Sequence, residues 1–337
     1  MGIKLAIIGA CGMVGRKVLE LLCGEYTIDG LEIICFEQPS KHGRRMRIGG
    51  RSYKLVGLTE DRLRETRPDY AIFVAGGTVS AKFAQIIREW GGVAIDNSSH
   101  FRMDVDVPLV IPHVNADTAL VNHGIIANPN CSTIQAVIAL APLHREFGLR
   151  RVVFSTYQAA SGAGKYGMDD LQRGNRGGDN EFFTHQLSNN LIPHIDVFMS
   201  DGYTKEEQKL MTETKKILGL PNLAVTATAV RVPITNCHSI SINAEFEKPF
   251  TLDRVRQILT ESQEQGGGVI LYDNPSNFLY PMPRVADNRD EVFVGRLRMD
   301  PSHPNTLDMF CTADNVRRGA ATNAIQILKF LIARGGV

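Results

Sequence analysis

The stretch Ile3-Lys4-Leu5-Ala6-Ile7-Ile8-Gly9-Ala10-Cys11-Gly12-Met13-Val14-Gly15 decides how the chain begins to fold. Ile3–Ile8 is a short apolar run of strand length that ends at Gly9. From residue 13 onward apolar side chains recur at helical spacing (Val14, Val18, Leu21, Leu22), so a helix opens directly after the glycines. Gly9 permits the tight turn. Gly12 lets backbone approach an anion held on the helix N-terminus, and Gly15 lets the helix pack close to the strand. The spacing is G-x-x-G-x-x-G rather than the commoner G-x-G-x-x-G, and a glycine triplet alone is a weak signal. Its place between a strand and a helix, opening a βαβ pattern, makes a dinucleotide pyrophosphate the group it suits; the plain alternative is an ordinary strand–helix turn.

Outward from this loop, residues 31–36, 70–74, 92–95 and Ile125–Ala127 read as further short buried strands, and residues 83–90 as a helix. Short apolar strands alternating with helices predict a parallel sheet covered on both faces. Cys131–Phe147 then reads as a helix closed by Gly148. Beyond it the pattern changes. Residues 151–158, 224–233 and 239–246 are longer strands rich in Val, Ile and Thr, separated by a polar stretch at 172–180 and a charged helix at Lys205–Leu218. Residues 320–333 form a last amphipathic helix. The fold class is therefore α/β. A Rossmann-type parallel-sheet domain spans residues 1–130, with a C-terminal helix at about 315–337 packing back on it, and a mixed α+β domain spans residues 131–314.

Composition sets the class of partner. Of 337 residues, 37 are basic and 36 acidic, a net charge of +1, so no field of one sign favours nucleic acid or an anionic membrane. Hydrophobic residues are 43% and charged residues 22%, ordinary for a soluble domain. The six cysteines include no C-x-x-C pair and no Cys/His cluster of metal spacing, so no metal site is expected and the thiols read as reduced. No apolar run reaches transmembrane length and the start resembles no signal peptide, so a cytoplasmic protein is expected.

Asn128-Pro129-Asn130-Cys131-Ser132-Thr133 is the most informative stretch. Pro129 ends a strand, and Cys131 stands in the first turn of a helix, where unpaired N–H groups and the helix dipole favour a thiolate. The same N–H groups suit an oxyanion on a carbonyl under attack. The bland alternative, a buried structural cysteine, is assigned instead to Cys23, Cys35 and Cys311. A thiolate needs a proton partner. Nine histidines are available, and pattern alone does not choose among them; His238 lies between two strands, where a side chain can reach a cleft. Glu37, at the end of the second strand, is the kind of residue that holds the ribose of NAD. Ser40, Lys41, Arg44 and Arg45 follow it and suit a 2′-phosphate, so both cofactors stay open.

These landmarks, in order, resemble the aspartate-β-semialdehyde dehydrogenase family along nearly the whole chain. They are the loop at residues 9–15, Ser98-Ser99-His100-Phe101-Arg102-Met103, residues 128–135, residues 155–164, Glu206-Glu207-Gln208-Lys209, residues 231–239, Val294-Gly295-Arg296-Leu297-Arg298 and residues 315–326. The resemblance implies that Cys131 is the acylated nucleophile, His238 the general acid/base and Gln158 the group that positions the thioester carbonyl. It implies Arg231 on the substrate carboxylate, Glu206 on its ammonium, and Arg102 and Lys209 on phosphate. Gly9, Cys11, Gly12, Met13, Val14, Ser40, Ser161, Gly162 and Gln326 would line the cofactor, NADP with NAD as the second choice. The implied reaction is the reversible reduction of L-aspartyl-4-phosphate to L-aspartate-4-semialdehyde in lysine, threonine and methionine biosynthesis, by a homodimer whose second domain carries both catalysis and dimerisation. Taken singly, Arg102 and Lys209 would be solvated charges and Glu206 an exposed helix start. The nearest rival is N-acetyl-γ-glutamyl-phosphate reductase, and a rival of another class is a non-catalytic binding paralogue; Arg231 with Glu206 argues against the first, intact Cys131, Gln158 and His238 against the second. Two departures stand out: Cys237-His238-Ser239 where the family has Gly-His-Ser, and Ser40-Lys41-His42-Gly43 where it has Arg-Ser-Ala-Gly.

Overall fold

The computed structural model describes residues 2–335; residue 1 and residues 336 and 337, which the expected domain limits include, lie outside the described residues. The chain divides into two units, Met1–Asn130 with Ala320–Val337, and Cys131–Gly319.

The first unit is built on seven strands: Ile3–Ile8 (β1), Leu31–Glu37 (β2), Arg45–Ile48 (β3), Arg51–Gly57 (β4), Tyr70–Phe73 (β5), Val93–Asp96 (β6) and Ile125–Ala127 (β7). Their order is β3-β4-β2-β1-β5-β6-β7. Every neighbouring pair is parallel except β3 with β4. β1 and β5 are central and buried almost throughout, which is why they read as unbroken apolar runs. The C-terminal helix Asn323–Ala333 belongs here: Ala324, Ile325 and Leu328 share one core with Leu5, Ile7, Val18 and Ile72. Asn323 Nδ2 ties it down, donating to the Val110 carbonyl at 2.9 Å and to Asn128 Oδ1 at 2.7 Å. The β3–β4 hairpin and a helix at Glu60–Thr66 were not expected. Met46 is the only fully buried residue of β3, flanked by exposed arginines, so the segment carries little apolar period; charge of this kind also suits a sheet edge.

The second unit holds Leu149–Gln158 (β8), Ala224–Arg231 (β9), His238–Phe246 (β10), Val269–Leu271 (β11), Val292–Met299 (β12) and Thr306–Ala313 (β13), in the order β11-β12-β13-β10-β8-β9. β8/β9 and β11/β12 pair in parallel and the other neighbours antiparallel, a mixed sheet. The helix Cys131–Phe147 meets strands on one side and the helices Lys205–Leu218 and Leu252–Glu264 on another. That explains why it is apolar all round, with Ile134, Val137, Leu140 and Leu143 fully buried. β11, β12 and β13 were not read as strands. β12 carries a register shift between Gly295 and Arg298, with Arg296 at φ 55°, and this bulge breaks the alternation by which strands are read. Residues 315–319, expected with the C-terminal helix, fall in the second unit because Asn315 and Gly319 are held against Cys237 and Cys131 there.

Candidate active site

Cys131 is the first residue of its helix and is half-buried. A Cβ at Gly319 would stand 2.7 Å from the Cys131 Cβ and 3.1 Å from its Cα, so only glycine lets that backbone press against the thiol-bearing residue. Gly319 lies in a π-helical turn, Arg317–Thr322, a geometry frequent at functional sites.

His238 is the first residue of β10 and has no exposed surface. Its Nδ1 accepts the Ala159 N–H at 3.0 Å. An amide can only donate, so Nδ1 is the bare nitrogen and the proton of the neutral ring sits on Nε2. Nε2 has no hydrogen-bond partner among the described residues. A Cβ at Gly162 would lie 3.0 Å from Nε2 and 2.8 Å from Arg231 Nη1. Gly162 therefore keeps open a space bordered by an imidazole N–H and a guanidinium. Burial, and then the neighbouring Arg231 charge, hold the His238 pKa well below the usual histidine range, so the ring is neutral.

The residue before it, Cys237, has φ 72°, a left-handed backbone that explains why glycine suits this position. Here the strain is held by a clamp. The Cys237 amide donates to Asn315 Oδ1 at 3.0 Å, and Ser161 Oγ donates to Asn236 Oδ1 at 3.0 Å and accepts from Asn315 Nδ2 at 3.0 Å. Asn236 Nδ2 in turn donates to Asp287 and Asp314 at 2.7 and 2.8 Å. Burial first, then Asp314 and Asp287, push the Cys237 thiol upward, so it stays protonated. Ser161, expected on the cofactor, also takes part in the clamp behind His238.

A charged cluster completes the second unit's part. Gln158, at the end of β8, accepts from Thr156 Oγ1 at 3.0 Å and donates Nε2 to Glu206 Oε1 at 3.1 Å. Glu206 Oε2 is 3.2 Å from Lys209 Nζ, which also reaches Asp196 at 2.7 Å. Burial alone would lower the Lys209 pKa; Glu206 and Asp196 more than offset it and hold the ammonium charged. Arg231, at the end of β9, is buried, donates Nη1 to the Ala159 carbonyl at 2.7 Å and lies over the Phe183 ring. Burial lowers its pKa, against the opposing charges of Glu206 and Cys131.

Gly9, Cys11, Gly12, Met13, Val14, Ser40, Arg102 and Gln326 belong to the first unit. Gly9 has φ 95°, and a Cβ there would meet the Val74 backbone at 3.0 Å. Gly12 caps the helix Met13–Cys23 without a side-chain oxygen, and Met13 and Val14 open that helix. A Cβ at Gly15 would lie 2.5 Å from the Gly9 carbonyl oxygen. A cavity of about 330 Å³ is lined by Gly9, Gly12, Glu37, Pro39, Leu58 and Val79 among others. A glycine cradle at a helix start, opening on such a cavity, fits a dinucleotide. Ser40 is exposed, Gln326 half-buried on the C-terminal helix, and Arg102 buried with Nε on the Asn128 carbonyl at 3.0 Å and Nη2 on that of Asn97 at 2.7 Å. Sequence reasoning missed Gly319, Asn315 and the Ala159 amide. The first two lie inside the 315–326 landmark, where the residue pattern assigned them no role; the third is a backbone group and leaves no signal in the sequence.

Two family models cover most of the chain: semialdehyde dehydrogenase, NAD binding domain, over residues 4–121, and semialdehyde dehydrogenase, dimerisation domain, over residues 140–318. An aspartate-semialdehyde dehydrogenase of Aquifex aeolicus is 44% identical, with 99% of each chain covered. One from Campylobacter jejuni is also 44% identical, over 96% of each chain. The crystal structure of aspartate semialdehyde dehydrogenase II from Vibrio cholerae, complexed with ASA, superposes with a TM-score of 0.90 at 39% identity over 99% of both chains. The chain belongs to the aspartate-semialdehyde dehydrogenase family.

Proposed function

We propose that this chain reduces L-aspartyl-4-phosphate to L-aspartate-4-semialdehyde, reversibly, through a thioester on Cys131. The observation that carries the assignment of roles is the buried set in the second unit: a neutral imidazole whose Nε2–H borders the same space as the Arg231 guanidinium, with Glu206 one hydrogen bond from Gln158. An amino-acid substrate brings a carboxylate and an ammonium. Arg231 takes the carboxylate, for which a planar fork is the fitting group, and Glu206 the ammonium. The Cys131 thiolate attacks the acyl carbon and its bond to phosphate oxygen breaks, releasing inorganic phosphate; Lys209 is the second unit's cation for the phosphate. Gln158 Nε2 has a second hydrogen beyond the one given to Glu206, and it orients the thioester carbonyl. A reduced nicotinamide dinucleotide, NADPH or NADH, supplies hydride when bound over the loop at Gly9, Gly12, Met13 and Val14. His238 Nε2–H donates a hydrogen bond to the carbonyl oxygen as it gains charge on hydride addition, and the resulting alkoxide collapses to aldehyde and thiolate with the proton staying on the ring.

The second unit matches the family's dimerisation domain, and we infer a homodimer from it. No helix among the described residues is long and apolar enough to cross a membrane; a cytoplasmic place in amino-acid biosynthesis is part of the same reading. The direct test is phosphate-dependent reduction of NADP or NAD with aspartate semialdehyde beside N-acetylglutamate semialdehyde, with Cys131→Ala as control. Turnover with the free amino substrate alone, lost in the variant, is expected. Turnover with the N-acetyl compound, or a Cys131→Ala protein that still works, would overturn the reading.

A further inference from the structure

We infer that Glu37 makes the nucleotide site discriminate in favour of NAD over NADP. The inference rests on the dinucleotide reading of the glycine loop and adds to it which cofactor the loop prefers.

Glu37 is the last residue of β2, the strand next to β1 in the sheet, and its side chain is only 10% exposed. It is not a mobile surface charge. Its Oε2 accepts the Cys11 N–H of the glycine loop at 3.0 Å and its Oε1 the Gln38 N–H at 3.1 Å. Both oxygens are thus oriented by backbone, and each keeps further acceptor capacity. Two fixed acceptors side by side match the vicinal 2′- and 3′-hydroxyls of a ribose. Burial would raise the carboxyl pKa, but the Gln38 and Cys11 amides and Lys41 outweigh it and keep the group ionised. The cavity that Glu37 lines is bounded by Gly9 and Gly12, and by the apolar Pro39, Leu58 and Val79. A pyrophosphate on the glycines and an adenine on the apolar wall leave the adenosine ribose for Glu37.

The cations that follow do not reverse this. Lys41 Nζ lies 3.4 Å from Glu37 Oε1, so its charge is already paired. Arg45 is exposed and donates to Ser52, and Arg44 is exposed. A 2′-phosphate would bring a near-dianion against an ionised, backbone-pinned carboxylate and would displace the diol contact as well. NADP remains a ligand, held less tightly.

The test is calorimetric titration of the full chain with NAD⁺ and with NADP⁺, for wild type, Glu37→Ser and Glu37→Gln. Each protein gives a ratio of two dissociation constants, so a general folding defect in a variant cancels. Wild type should bind NAD⁺ tighter by on the order of tenfold or more, a factor within reach of one charge contact and a paired hydroxyl. In Glu37→Ser the ratio should fall to within about threefold or invert, with Glu37→Gln between. AMP against adenosine 2′,5′-bisphosphate should repeat the pattern, placing the preference at the ribose. Wild type that binds NADP⁺ as tightly as NAD⁺, or a Glu37→Ser protein that keeps the wild-type ratio, overturns the inference and leaves the dinucleotide reading standing. Failure of both cofactors to bind wild type overturns that reading itself.

Discussion

At the scale of the residue, Cys131 and Cys237 carry the same thiol and meet opposite fates. Cys131 opens a helix, where the dipole and N–H groups favour negative charge; Cys237 is buried beside Asp287 and Asp314, which disfavour it. The first placement was legible from Pro129 and the apolar run that follows. The second was not, because Asp287 and Asp314 are distant in sequence. His238 shows the same limit: its neutral state comes from burial and from Arg231, neither of which a pattern reveals. Because its folded pKa is depressed, the unfolded chain binds a proton below about pH 6.5 that the folded chain refuses, so stability falls as pH drops below that value. Between pH 7.5 and 5.5 this group should therefore make the fold progressively less stable. Urea midpoints for wild type and His238→Asn at the two pH values measure it; equal losses in both proteins would mean that His238 titrates normally. Arg231→Lys keeps the charge and loses the fork, so KM for the aspartyl substrate should rise by roughly 10- to 100-fold with a smaller change in kcat. An unchanged KM would remove Arg231 from the carboxylate.

At the scale of the element, the parallel strands were legible because a strand buried on both faces is a continuous apolar run. Arg45–Ile48 and Val292–Met299 were not, since one is an edge strand carrying charge and the other holds a bulge. The helix Cys131–Phe147 was visible in outline, but its companion turn at Arg317–Thr322 was not, because nothing local announces that Gly319 must touch a residue almost two hundred positions earlier. Gly319→Ala would drive a methyl to 2.7 Å from the Cys131 Cβ. It should destabilise the chain by about 1–3 kcal/mol, as overpacking does, and lower kcat while leaving NAD⁺ affinity unchanged. Wild-type kcat and stability in Gly319→Ala would show that the contact does not set the position of Cys131.

At the scale of the whole molecule, nearly equal numbers of acidic and basic residues left local clusters to bind every anion. The structure gathers one such cluster in the second unit around Glu206, Lys209 and Arg231, and a glycine cradle in the first. The proposed chemistry turns on a single covalent event, acylation of one thiol among six. That event is open to direct measurement. The chain is incubated with aspartate semialdehyde and oxidised dinucleotide without phosphate, quenched in acid, digested and weighed by mass spectrometry. An aspartyl thioester on the Cys131 peptide, discharged when phosphate is added and absent from Cys131→Ala, is the expected result. Turnover without an adduct, or an adduct on any other cysteine, would contradict the assignment of Cys131 as nucleophile.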